Sequence, residues 1–180
     1  GLGFDGVAVA LAPGDAVVLA LPPQAVEELL PGTGAPTEAR AILNAHFRLP
    51  AAPQGGERIL GLVGGTAEWL FRRGDTVSVT VSAADALCGR PAEVLAPLLW
   101  RDAARALGLP ADPLPPWRVL KEKRATPAQT PDAVARRPGT RTGLANLALA
   151  GDWTDTGLPA TIEGAILSGH RAARFFKDLG

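Results

Sequence analysis

The chain has 180 residues, 47% of them apolar, with 18 basic and 18 acidic side chains, so it can hold one ordinary domain or parts of two around a real core. Zero net charge and scattered basic residues argue against a nucleic-acid footprint, which needs a basic face or stripe. The lone Cys88 leaves no disulfide framework and no thiolate cluster for zinc, and no apolar run approaches the about 18 residues that cross a bilayer.

His46 and His170 lie far apart without ligand-spaced partners, so each reads as a surface or packing histidine and no metal site is expected. No charged leader followed by an apolar core stands at the N-terminus. The chain contains no Met, even at position 1, and is expected to be a piece of a longer reading frame.

Residues 1–6, GLGFDG, match G-x-G-x-x-G literally. The dinucleotide fingerprint needs a strand before the glycines and a helix after them. Here nothing precedes Gly1 and VAVAL (7–11) reads as a strand, so the motif is a turn into a strand. Residues 7–11 and 16–21, separated by the turn signal PGD, suggest adjacent strands or a hairpin. QAVEELL (24–30) reads as a short helix ended by Pro31-Gly32, and the Gly/Pro-rich 32–38 as a crossing between domains.

Strands follow at 41–49, 59–63, 67–71 and 77–81, broken by GG at 64–65 and RRGD at 72–75, a spacing that suits an antiparallel sheet with short turns. Pro91 opens a helix over 93–108, inside which Pro97 predicts a kink or a late start. A Pro-rich loop leads to a strand at 117–125, and 126–142 reads as loop. LANLALA (144–150) has parallel-strand character and runs into Gly151-Asp152. The last helix is expected over 159–177.

Gly at the end of a buried strand lets another backbone or a ligand approach closely. Asp152 lies just past the carboxyl end of that strand, where open α/β sheets place ligands, and can accept hydrogen bonds from ligand hydroxyls. The alternative is a turn or helix cap. Pro159 suits the first helical position, and no capping box precedes Glu163. The amides of Ala160, Thr161 and Ile162 are therefore free for a negative ligand atom, or else capped by Thr156, Thr161 or water. Ile162, Ala165, Ile166, Gly169, Ala172, Ala173 and Phe176 mark one helix face. Gly164, Ser168 and Ala172 mark a second stripe of small residues, which permits close packing without any function.

LALAGDWTDTGLPATIEGAILSGHRAA resembles the C-terminal flavin motif of the FAD-dependent amine oxidase and phytoene desaturase superfamily. Its close form, GDWTDTGLPATIE, is similar to the squalene-associated FAD-dependent desaturase-like proteins of hopanoid synthesis, the hydroxysqualene dehydroxylases. DAVVLALPP (15–23), GLVGGTAEWLF (61–71), VSVTVSAAD (77–85) and KRATPAQTP with the preceding Lys123 agree. The resemblance implies a mixed α/β fold: the C-terminal part of a two-domain FAD-dependent oxidoreductase. Residues 1–32 and 140–180 would be segments of a partial, Rossmann-like FAD-binding domain, and 33–139 an antiparallel-sheet substrate domain.

On the same resemblance Gly151 and Asp152 would meet the ribityl or phosphate oxygens of FAD, and Pro159, Ala160, Thr161 and Ile162 the flavin O2 side. The implied reaction reduces hydroxysqualene to squalene. The substrate would be a polyisoprenoid lipid, implying a cytoplasmic protein in transient contact with the inner membrane face. The family's glycine-rich pyrophosphate loop is missing, so the N-terminal remainder of the same protein is an expected partner, and this chain alone is expected to bind FAD poorly or not at all. The catalytic acid stays unassigned among Asp155, Lys123 and Arg124, of which Arg124 is the poorest acid. Trp69, Phe71, Trp117 and Trp153 are offered as channel lining, at least two of them being core instead. A carotenoid desaturase, an amine oxidase or a non-catalytic truncated module remains open.

Overall fold

The computed structural model describes residues 1–177; the last three residues of the expected 140–180 segment lie outside them. In chain order its elements are β1 (Leu2–Phe4), β2 (Val7–Val9), β3 (Val17–Leu19), α1 (Pro23–Leu29), β4 (Ala39–Arg48), β5 (Arg58–Gly61), β6 (Trp69–Arg73), β7 (Thr76–Val81), α2 (Asp85–Cys88), α3 (Ala92–Leu107), β8 (Trp117–Pro127), α4 (Pro131–Ala135), β9 (Leu147–Leu149) and α5 (Ile162–Lys177). They divide into two units, Gly1–Glu38 with the stretch from Pro127 onward, and Ala39–Thr126. The boundaries differ from those read at 32/33 and 139/140. Residues 127–139 join the first unit because the Ala128 amide bonds the Glu38 carbonyl and Arg137 is tied to the loop after β9.

In the first unit GLGFDG forms a hairpin. β1 and β2 pair antiparallel around Asp5-Gly6, whose φ angles of 46° and 83° suit a tight hairpin turn. The dinucleotide reading is excluded by this geometry. The expected pairing of 7–11 with 16–21 is also corrected: β3 pairs in parallel with β9, Val17 opposite Leu147 and Leu19 opposite Leu149. Leu149, Val26 of α1, Ala35 and Trp153 bury one cluster, while Ala148, Ala150 and Ala172 bury another with Phe175 and Phe176 against it. Alternate residues of β9 thus serve opposite faces of the strand.

Beyond α1 the chain turns at Gly32, where φ is +85°. Glu27 holds this turn, accepting hydrogen bonds from the Gly32 amide (2.6 Å) and the Thr33 hydroxyl (2.7 Å). The Gly32 amide first, then the Thr33 hydroxyl, keep the Glu27 carboxyl below its ordinary value, against an opposing effect of desolvation. Residues 126–142, read as loop, contain α4, whose start is capped by Thr130 Oγ1 accepting from the Ala133 amide at 3.3 Å.

The second unit is a five-stranded sheet in the order β5-β6-β7-β4-β8, with β5, β6, β7 and β4 successively antiparallel. Strict alternation explains it. Leu43, Ala45 and Phe47 of β4 and Val77, Val79 and Val81 of β7 point to one face and are buried. α3 supplies Leu95, Ala96, Leu99, Trp100, Ala103 and Ala104 to the same core, with the Phe47 and Trp100 rings 5.0 Å apart. The helix runs from Ala92 through Pro97, so it does not start late. Pro97 sits on its exposed side, so the Glu93 carbonyl it leaves without a donor is open to water.

Asp102 of α3 fixes the β5–β6 connection. Its Oδ2 accepts from the Thr66 (2.7 Å) and Ala67 (3.0 Å) amides, and a Cβ on Gly65 would lie 2.5 Å from that oxygen. Hydrogen bonds to a charged group contribute about 1.5–3 kcal/mol each, so Asp102→Ala should lower unfolding stability by about 2–3 kcal/mol in urea titration, and Asp102→Asn by less. The lowered carboxyl of Glu27 contributes stability that is fully present above its ordinary value of 4.5 and lost as pH falls through the lowered one. Glu27→Gln should therefore lower stability near neutrality and flatten the acid limb of stability against pH, converging on the unsubstituted protein as pH falls.

Candidate functional site

Strand β9 ends at Leu149, and three residues later the chain has reversed around Gly151, whose φ is +151°. Only glycine fits there. A Cβ would stand 2.3 Å from Nε1 of Trp153, whose indole is buried to 1% exposure and donates to the Leu21 carbonyl at 3.0 Å. The Gly151 amide donates to Ser168 Oγ of α5 (2.8 Å), and that hydroxyl donates to the Ala165 carbonyl (2.6 Å). The bend is thus clamped between a buried indole and a buried serine.

Asp152 follows, half-buried, and among the described residues its carboxylate has no hydrogen-bond or ion-pair partner. It does not cap the helix. That role falls to Thr161, whose hydroxyl accepts from the Gly164 amide at 3.3 Å. The expected helix start at Pro159 is corrected to Ile162: Pro159, Ala160 and Thr161 lie before the helix. The expected freedom of the Ala160 amide is corrected too, since it donates to Gln129 Oε1 at 3.0 Å. Among the described residues the amides of Thr161, Ile162 and Glu163 have no acceptor, leaving a partly open, positively polarised helix end.

The two faces of α5 exchange the roles their composition suggests. Gly164, Ser168 and Ala172 are buried, whereas Ile162 and Ile166 are 83% and 57% exposed. A Cβ on Gly164 would stand 2.9 Å from the Pro159 carbonyl oxygen, so the small stripe allows a contact that larger residues would block.

Sequence reasoning missed the residue that holds the loop. Arg137, just past α4, donates Nη2 to the carbonyls of Asp152 and Thr154 (2.6 Å to the latter), Nε to that of Trp153 (3.1 Å), and Nη1 to that of Leu158 (2.7 Å). Arg171 of α5 takes the carbonyls of Asp155 and Thr156 at 2.8 and 3.0 Å. Only a guanidinium has enough donors in a fixed fork to serve several carbonyls at once. The only local sign was an arginine before a proline in a segment otherwise read as loop.

Of the polar candidates, Asp155 is exposed and turns back to the Gly157 amide (3.2 Å), while Lys123 and Arg124 lie exposed on β8 of the other unit. Trp153 and Trp117 pack into or against cores. Trp69 and Phe71, 48% and 40% exposed, share the face of the second unit's sheet opposite to α3, beside the hydrogen-bonded His46–Ser78 and Asn44–Thr80 pairs.

Over residues 4–174 the chain matches the family described as flavin containing amine oxidoreductase. It is similar to the hydroxysqualene dehydroxylases of Sinorhizobium fredii (52% identical over 172 residues), Rhodopseudomonas palustris (52% over 165) and Zymomonas mobilis (45% over 166). These likenesses take in 96%, 92% and 92% of this chain but 41%, 39% and 39% of the relatives, so the chain spans about two fifths of their length. Among solved structures, a chain from Exiguobacterium sp. assigned as a protoporphyrinogen oxidase matches with a TM-score of 0.62 at 15% identity, over 91% of this chain and 40% of that one. A putrescine oxidase redesigned in cofactor binding matches at 0.60 and 16%, over 90% and 42%. At such identities these structures establish the fold alone.

Arg137→Ala should cost about 3 kcal/mol or more, because it strands several carbonyls at once, and thermal unfolding should show it. Arg137→Lys, a single ammonium without the fork, should recover only part of the loss. Gly151→Ala should be destabilising by a similar amount, relieved when Trp153 is also reduced to Phe.

Proposed function

The chain belongs to the flavin containing amine oxidoreductase family, and from that membership we propose that it is the C-terminal portion of an FAD-dependent oxidoreductase that reduces hydroxysqualene to squalene. The observation that carries the cofactor reading is the end of β9: a glycine bend without a Cβ, followed by a carboxylate that no described residue engages. An unpaired, half-buried carboxylate is suited to accept hydrogen bonds from the hydroxyls of a ribityl or ribose chain. The open amides of Thr161 and Ile162, at the positive end of the α5 dipole, suit the electron-rich edge of a flavin ring. Gly151 contributes through the shape of the bend, the space of its missing Cβ being taken by the Trp153 indole. Pro159 and Ala160 contribute by position, the Ala160 amide being held by Gln129. These residues fit FAD, which when bound and in its reduced form would supply the hydride.

The substrate is proposed from the likeness to three hydroxysqualene dehydroxylases. The chain's own part in that reaction is to hold a long hydrocarbon away from water. The exposed Trp69 and Phe71 on the open sheet face offer apolar surface for it. The reaction breaks an allylic C–O bond, the hydroxyl leaving as water once protonated. The reading carries with it a cytoplasmic enzyme peripheral to the inner membrane face, drawing on the rest of the same protein to complete the flavin site.

The test is the complete reading frame, purified and assayed with hydroxysqualene under reducing conditions. The expected result is a yellow protein that forms squalene. A colourless protein would remove the cofactor reading, and a yellow one that acts on phytoene or an amine but not on hydroxysqualene would remove the substrate. Asp152→Ala in that protein should weaken flavin retention about ten- to hundredfold, the loss expected for a hydrogen-bonded charge. Flavin absorbance after gel filtration would show it, with the melting temperature of the apoprotein little changed.

A further inference from the structure

Strands β5 and β6 place two arginines directly opposite each other, Arg58 across from Arg72. Opposed like charges on one sheet face repel. Arg72 is only 4% exposed, yet among the described residues its guanidinium is bonded only to the Gly56 carbonyl, through Nε at 3.0 Å and through Nη2. A carbonyl satisfies donors but neutralises no charge. Among the described residues Arg58 has no partner. The nearest acid along the chain, Glu57, is drawn to Arg73 at 3.4 Å, and Asp75 is held by Arg48 at 2.6 Å.

The two guanidinium groups also converge. The point where a Gly55 side chain would begin lies 3.1 Å from Nη2 of Arg58 and 3.7 Å from Nη2 of Arg72. Gly55 and Gly56 both have positive φ, +95° and +69°, so the turn keeps that space clear of side chains. A buried, uncompensated cation costs several kcal/mol, and a second cation opposite it adds to that. An anion between them would remove both penalties, and the planar forks of arginine match phosphate oxygens.

We infer that Arg58 and Arg72, under the Gly55-Gly56 turn, form a binding site for a phosphate-type oxyanion, carried either by a free phosphate or by a lipid headgroup. The site rests on geometry within the second unit and stands or falls independently of the flavin reading.

The test uses the full-length protein, with thermal unfolding followed at constant ionic strength as inorganic phosphate or diphosphate replaces chloride, and with flotation on vesicles of phosphatidylglycerol in phosphatidylcholine. Saturable stabilisation by phosphate or diphosphate, weakened about tenfold or more in Arg58→Gln and retained in Arg73→Gln, supports the site with a free anion as its ligand. Flotation that needs phosphatidylglycerol and Arg58, without an effect of the soluble anions, supports it with a headgroup instead. Arg58 is exposed, so Arg58→Gln keeps the test decisive should Arg72→Met fail to fold. No anion-specific effect in either assay, or an effect unchanged in Arg58→Gln, overturns the inference.

Discussion

The first unit depends on one guanidinium. The loop from Asp152 to Leu158 folds back on itself without regular structure, so its carbonyls have no ladder to join. Arg137 answers the carbonyls of Asp152, Trp153, Thr154 and Leu158, and Arg171 answers two more. Unpaired buried backbone groups are costly, and a loop this irregular keeps one shape only while those donors stay in place. With the carbonyls satisfied from one side, the Asp152 side chain is left free. A cap built from Asp152 would have used up the carboxylate that the proposed flavin site requires.

The same logic governs α5. A helix pressed against a glycine bend must present small side chains, and Gly164, Ser168 and Ala172 do so. Ser168 then ties the Gly151 amide to the helix while its own proton goes to the Ala165 carbonyl. Rotating the helix to bury Ile162 and Ile166 would break that link. Those isoleucines stay exposed in a chain spanning about two fifths of its relatives' length.

In the second unit the decisive constraint is a sheet with one covered face. α3 covers the face bearing Phe47, Leu70 and Val79, and Asp102 pins the β5–β6 connection to that helix. The other face carries polar cross-strand pairs with Trp69 and Phe71 among them. Such a surface can meet an apolar ligand while its own polar atoms are already paired. Arg72 stands apart, a charge on the covered side of the sheet in a position where β6 otherwise buries leucine.

By itself, the sequence determined what depends on short-range pattern. Alternation in 41–49 and 77–81 specified half-buried antiparallel strands, and the apolar run before Gly151 specified a parallel one. The turn glycines and prolines marked most element ends, and the family resemblance offered Gly151 and Asp152 as candidate site residues. Tertiary structure decided the rest. Which strand β3 pairs with, which stripe of α5 is buried, and where that helix begins are set by contacts between residues far apart in sequence. Trp153 reaches Leu21, Gln129 takes the Ala160 amide, and Arg137 gathers carbonyls from the loop after β9. Local periodicity records which residues can share a face. It does not record which of two possible faces a distant partner will cover, because that choice depends on backbone groups whose need for a donor appears only once the chain has folded.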